Sequence, residues 1–263
     1  MDGVAAMERS RIEPGAPGEG RSGTPARAVY AEVMAVGETG DPVSARCRKV
    51  LDAIDALNAQ DPTRIEHGGE LVAKEPLHAA LMTRWLERLE PEPDEVQRIA
   101  ARGHHVQRWR RPRADYPVGR RGYLRWRSDA KRFHADVVAA LMEDVGYDES
   151  ATQRTSSIIR KEGLGRDPWV QVHEDALCLV FLDTQLEPTA TRLGDDEMIR
   201  VLERTIPKMS PAGLAAAAEL DLGPKGRVLL ERALAGAASP GSANTLVDPP
   251  PSTREEGHSD GAR

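Results

Sequence analysis

The chain has 263 residues, 40% hydrophobic and 30% charged, with a net charge of −6 and only four Trp, four Tyr and two Phe. No apolar run approaches the roughly 20 residues of a membrane helix, Met1–Ser10 lacks a basic-then-apolar leader pattern, and Cys47 and Cys178 have no C-x-x-C spacing. These features predict a cytoplasmic protein with reduced thiols and no membrane partner, and exclude a disulfide framework and a zinc ribbon.

Residues 1–45 hold seven Gly and four Pro with an acidic excess of three and no apolar period, which predicts a disordered lead. Residues 236–263, with Pro249-Pro250-Pro251, repeat that composition and predict a disordered tail. Residues 46–235 remain as a single helical domain, because helical spacing dominates and strand-like alternation is scarce.

Val50, Ile54 and Leu57 mark a first helix from about Val43, ended by Asn58 to Pro62. Leu77, Leu81, Trp85 and Leu89 recur every four residues and predict an amphipathic second helix, closed by Pro91 and Pro93. Asp94 caps a third helix that runs to His104-His105, and residues 110–122 form a loop. A fourth helix spans about Leu124 to Val145 and a fifth Glu149 to Glu162, each followed by glycine. The sixth, Pro168 to Gln185, is apolar all round over Ala176–Leu182 and is expected at the centre. Shorter helices near 195–205, 211–219 and 223–235 finish the bundle.

His78, His104, His105 and His134 fall in or at the ends of helices two, three and four, and His173-Glu174-Asp175 lies in helix six. Separate helices thus offer His78, His105, His134 and Asp175 as ligands for one divalent metal. Imidazole and carboxylate suit Zn, Mn or Fe with positions left for water. A purely structural reading stays open: His104 or His105 can cap helix carbonyls, and Asp175 can pair with an arginine. His173 and Glu174 receive no role, and His67, placed in a loop, and His258, in the tail, are not counted as ligands.

Residues 98–132 carry twelve Lys and Arg against Asp115 and Asp129. Trp109 and Trp126 are interleaved with Arg108, Arg125 and Arg127, and the turn around Lys161 adds further cations just before Asp175. Arg108, Arg125, Arg127 and Lys161 are therefore candidate phosphate-binding residues. The bland alternative is a solvated charged face. No G-x-S-x-G, P-loop, H-E-x-x-H or strand followed by G-x-G-x-x-G is present.

Several ordered motifs, among them Ala53–Pro62, Met82–Leu86, Ile99–Trp109, Gly122–Arg127, Phe133-His134-Ala135, Arg160–Leu164 and Glu174-Asp175 with Cys178–Leu182, resemble those of the domain of unknown function 4202 family over about Val50 to Leu234. Some of its members are labelled glutamyl-tRNA synthetase. Here Lys208-Met209-Ser210 is only a fragment of the class I signature and H-x-G-H is absent.

A looser similarity is to the HD phosphohydrolases, in which a His, a His-Asp pair and a later Asp from different helices bind a metal that activates water against a phosphate ester. His78, His104-His105 and Asp175 follow that order, and His134 lies where several such enzymes bring another histidine. His105 replaces the paired Asp, which argues against a carboxylate-bridged two-metal site and leaves a single metal or none. The similarity implies an HD-like multi-helix bundle acting as a metal-dependent phosphohydrolase on a nucleotide or other small phosphate ester. A non-catalytic module binding a phosphate-bearing small molecule or RNA is the alternative.

Overall fold

A computed structural model describes residues 43–67 and 69–237. The expected lead and tail lie outside these residues, except that 43–45 and 236–237 are described. The fold is all-α: among the described residues, nine α-helices are joined by short connections and one β-hairpin.

Helix α1 (Ala45–Asn58) starts at Ser44, whose hydroxyl accepts the Cys47 N–H. The hairpin of β1 (Arg64–His67) and β2 (Glu70–Ala73) pairs His67 with Glu70. It corrects the placement of His67 in a loop: with only Val72 buried, four-residue strands leave almost no alternation to read. Gly69, at φ +83, supplies the left-handed residue that so tight a turn requires.

Helix α2 (Lys74–Leu89) has no side-chain cap of its own, but Asp61 takes its place. The Asp61 carboxylate accepts the Thr63 N–H at 2.8 Å and the Glu75 N–H at 2.9 Å, fixing the first turn of α2 against the end of α1. Helix α3 (Glu95–Gly103) opens with an Asp94/Gln97 capping box.

A 3₁₀ turn, Arg108–Arg110, leads into the expected loop 110–122, a second, Arg113–Asp115, lies within it, and α4 (Arg120–Asp144) starts earlier than expected. Apolar spacing places that start at Leu124, yet Leu124 is exposed, and the buried residue of the first turn, Gly122, has no apolar side chain to mark it. Helix α5 (Glu149–Arg160) ends at Lys161, not at Glu162. Helix α6 (Pro168–Leu193) runs past Gln185 and through Pro188. Burial of Leu186 and Ala190 on either side holds the helix together despite the N–H that proline lacks. Helices α7 (Asp195–Thr205), α8 (Pro211–Ala218) and α9 (Pro224–Ala237) complete the chain order.

Two apolar clusters result. One joins α2, the later part of α6, and α7 to α9; the other joins α1, α3, α4, α5 and Val170 at the start of α6. Helix α6 therefore begins in one core and continues into the other. His173, Glu174 and Asp175 fall between Val170 and Ala176, at the crossing. No helix among the described residues is long and apolar enough to cross a membrane.

Candidate functional site

Polar side chains collect along the seam between the two cores. A cavity with about 70 Å³ open to water-sized atoms is bounded by His104 and His105 after α3, Arg108, the α4 residues Arg127, Lys131 and His134, Lys161 after α5, and His173 of α6. That exceeds the roughly 10–15 Å³ needed for one water, so the space holds more than a single solvent molecule.

The close approach of α3 and α4 sets one side. A Cβ on Gly103 would lie 2.4 Å from Val138 Cγ2, so only glycine lets the helices meet here. The next two residues then carry imidazoles toward α4, where the His105 and His134 ring centres are 5.6 Å apart. His104 stacks on His105 at 3.9 Å and meets His173 edge-on at 6.0 Å. Gln107, in the left-handed region at φ +52, turns the chain so that Arg108 faces the cavity, and its N–H donates to Asn58 Oδ1.

Beside these rings, Glu75 and His78 occupy the first turn and a half of α2. Glu75, His78 and His105 offer one ligand atom each, all within 4.8 Å of one another. Glu75 Oε2 lies 3.9 Å from His78 Nδ1 and 3.6 Å from His105 Nδ1. Ligands at about 2.1 Å from one ion stand roughly 3.0–3.4 Å apart in octahedral or tetrahedral geometry, so small side-chain shifts bring this set to a metal.

Hydrogen bonding fixes which nitrogens carry lone pairs. Thr184 donates its hydroxyl to Val180 O at 2.7 Å, so its oxygen accepts from His78 Nε2 at 3.2 Å and His78 Nδ1 is left bare toward Glu75. His134 Nδ1 donates to Val106 O at 2.8 Å, which leaves Nε2 bare. Glu75 Oε2, both nitrogens of His104, His105 Nδ1, His134 Nε2 and His173 Nε2 are buried without a hydrogen-bond partner among the described residues. Each such atom costs about 1–3 kcal/mol.

Burial also sets the charge states. It lowers His78, His134 and His173 to about 3 and holds His104 and His105 well below the usual imidazole value. These rings are neutral, the form that binds a metal. The same desolvation raises Glu75 to about 7. A carboxylate half protonated near neutrality gains from any cation placed beside it.

The cationic side is built from separate elements. Lys161, in the left-handed region at φ +62, pairs with the buried carboxylate of Glu174. Lys131 Nζ donates to Arg160 O at 2.9 Å. Arg108 lies over the Trp126 ring at 4.8 Å and Arg127 over Tyr123 at 5.8 Å.

The sequence-predicted residues separate as follows. His78 and His105 meet at the metal-ligand group, His134 lies across the cavity from it, and Arg108, Arg127 and Lys161 line the cavity. Asp175 is engaged elsewhere: its oxygens accept the Ser210 N–H at 2.8 Å and hydroxyl at 2.6 Å, and the Gln171 amide at 3.1 Å, anchoring the start of α8. Arg125 is 74% exposed and faces Asp129. Much of the basic stretch is structural: Arg102 forks onto Asp55 at 2.6 and 2.7 Å, Arg113 binds the carbonyls of Tyr116 and Pro117, and Trp126 donates to Arg111 O.

Sequence reading missed Glu75, His173 and Lys131 as site residues. The signal for Glu75 is Glu75-x-x-His78, an i,i+3 pair that shares one helix face.

A family model described as Domain of unknown function (DUF4202) matches residues 48–230, which contain every residue of this site. No curated protein and no solved structure matches.

Proposed function

We propose that this chain, which belongs to the DUF4202 family, is a metal-dependent phosphohydrolase of HD-like type acting on a nucleotide or other small phosphate ester. One observation carries the reading: a buried group of two imidazoles and a carboxylate, Glu75, His78 and His105, adjoins a cavity lined by four cations. A metal group alone or an anion pocket alone has many uses. Their junction suits hydrolysis of an anionic ester.

Glu75, His78 and His105 would hold the ion, for which Zn, Mn and Fe all fit the donor set. A divalent ion held there would supply an activated water as the nucleophile. Arg108, Arg127, Lys131 and Lys161 bind the phosphoryl oxygens and offset the charge that grows on them. The water oxygen would bond to phosphorus as the ester P–O bond breaks, with the water's proton ending on the departing alcohol. Neutral His134, held by Val106 O, would accept a hydrogen bond at Nε2 and so orient that water.

The test is metal content and turnover together. Purified protein is expected to hold about one equivalent of Zn, Mn or Fe, to lose it in His105→Ala and Glu75→Gln, and to release phosphate from small esters in a chelator-sensitive manner. Wild-type protein carrying no more metal than the variants would end the proposal. Phosphate binding without metal or turnover would select the non-catalytic module instead.

A further inference from the structure

We infer that the cavity receives one phosphoryl group as its dianion, so that the substrates are phosphomonoesters and not phosphodiesters. The inference rests on the cavity being the substrate site of the proposed hydrolase, and it adds the substrate class from size, charge and shape.

Size comes first. About 70 Å³ open to water-sized atoms, well above the roughly 10–15 Å³ that one water needs, gives a phosphoryl group room to enter whole.

Charge agrees. Four cations line the space, and the neutral histidines add none. Lys161 is matched by Glu174, while Asp129 faces Arg125 and Arg132 instead of the cavity. Glu162 pairs with Arg160. Arg108, Arg127 and Lys131 remain, with Glu75 facing Arg108, so three positive charges against one negative leave a surplus of two, which a monoester dianion meets and a diester with its single charge does not. Two guanidinium forks and one ammonium also match three terminal oxygens, whereas a diester presents only two.

Shape decides the direction of entry. His104, His134 and His173 close the inner side, each at most 5% exposed. Arg108, Arg127 and Lys131 are half-buried and mark the outer side. A group bearing one substituent fits with that substituent pointing outward past Tyr123 and Trp126. A diester, with a substituent on each of two oxygens, drives one of them into the closed histidine wall.

The experiment is calorimetric titration of the full chain at pH 7.5, with and without Mn²⁺, using inorganic phosphate, methyl phosphate and dimethyl phosphate. Phosphate and methyl phosphate are expected to bind, and dimethyl phosphate at least about tenfold more weakly. Arg127→Gln and Lys131→Gln, each losing charge-assisted hydrogen bonds, are expected to weaken phosphate binding by about 10- to 100-fold, with melting curves confirming that both fold. Dimethyl phosphate binding as tightly as phosphate overturns the inference, as does failure of phosphate to bind or its indifference to both substitutions. The two readings part cleanly. Selective phosphate binding without metal uptake keeps the monoester pocket and removes the hydrolase; metal-dependent diester turnover does the reverse.

Discussion

Acidification of the metal-free protein is expected to unfold it well above the pH at which surface carboxylates titrate. His134 and His173 are 1% and 3% exposed, and burial depresses both to about 3. In the unfolded chain each returns to about 6.5. Because the unfolded state then takes up protons that the folded state refuses, stability is full above pH 6.5 and is lost progressively as pH falls toward 3. At roughly 1.4 kcal/mol per group per pH unit, the pair removes about 5 kcal/mol between pH 6.5 and 4.5. His78, His104 and His105 shift in the same sense and add to the loss. Glu75 opposes it: its raised value, about 7, favours the folded protonated form as pH falls from 7 toward 4.5, which offsets about one histidine. Against a total stability of about 5–15 kcal/mol, the net is enough to unfold the domain near pH 5. Urea denaturation at half-unit steps from pH 7.5 to 5.0 measures it. His134→Asn, whose amide replaces the Nδ1 donor to Val106 O, is expected to reduce the slope by about one proton. A denaturation midpoint that stays constant over this range would refute the assignment of these rings as buried and neutral.

Lys161→Gly relieves a left-handed lysine but leaves Glu174 buried and unpaired, so a loss of about 3–5 kcal/mol is expected by urea unfolding. Adding Glu174→Gln to that variant is expected to recover most of the loss; no recovery would mean that the pair is not what the lysine supports. Gly103→Ala sets a methyl 2.4 Å from Val138 Cγ2 and is expected to cost about 1–3 kcal/mol, with Val138→Ala relieving it in the double variant. Asp61→Ala frees the Thr63 and Glu75 N–H groups, and a drop of about 1–2 kcal/mol in stability together with reduced metal content is the expected outcome. Unchanged metal content in a folded Asp61→Ala variant would show that the first turn of α2 does not depend on this carboxylate.

The helices were legible wherever apolar spacing and punctuation agreed. Leu77, Leu81 and Trp85 of α2 are buried as their spacing requires, and Asp94 caps α3. The site was legible by residue type but not by partner. His78 and His105 announced themselves because histidine is rare and carries few other uses, whereas Glu75 in the first turn of a helix looks like an ordinary favourable end charge. Only the third dimension shows that this turn is buried and that Asp61, fourteen residues earlier, already satisfies its N–H. Asp175 failed for the converse reason. A carboxylate on a buried helix needs partners, and sequence cannot say whether the partner is an ion or the Ser210 cap of a helix 35 residues away. His173, one helical turn after Val170, carried no signal until the two cores were seen to meet there. A polar seam between apolar clusters is costly to maintain, with six buried nitrogens and oxygens left bare around one small space. That cost falls on the residues that sequence periodicity describes least, the helix ends at Glu75, His104, His105 and Lys161. A ligand that satisfies those atoms recovers the cost at the moment it binds.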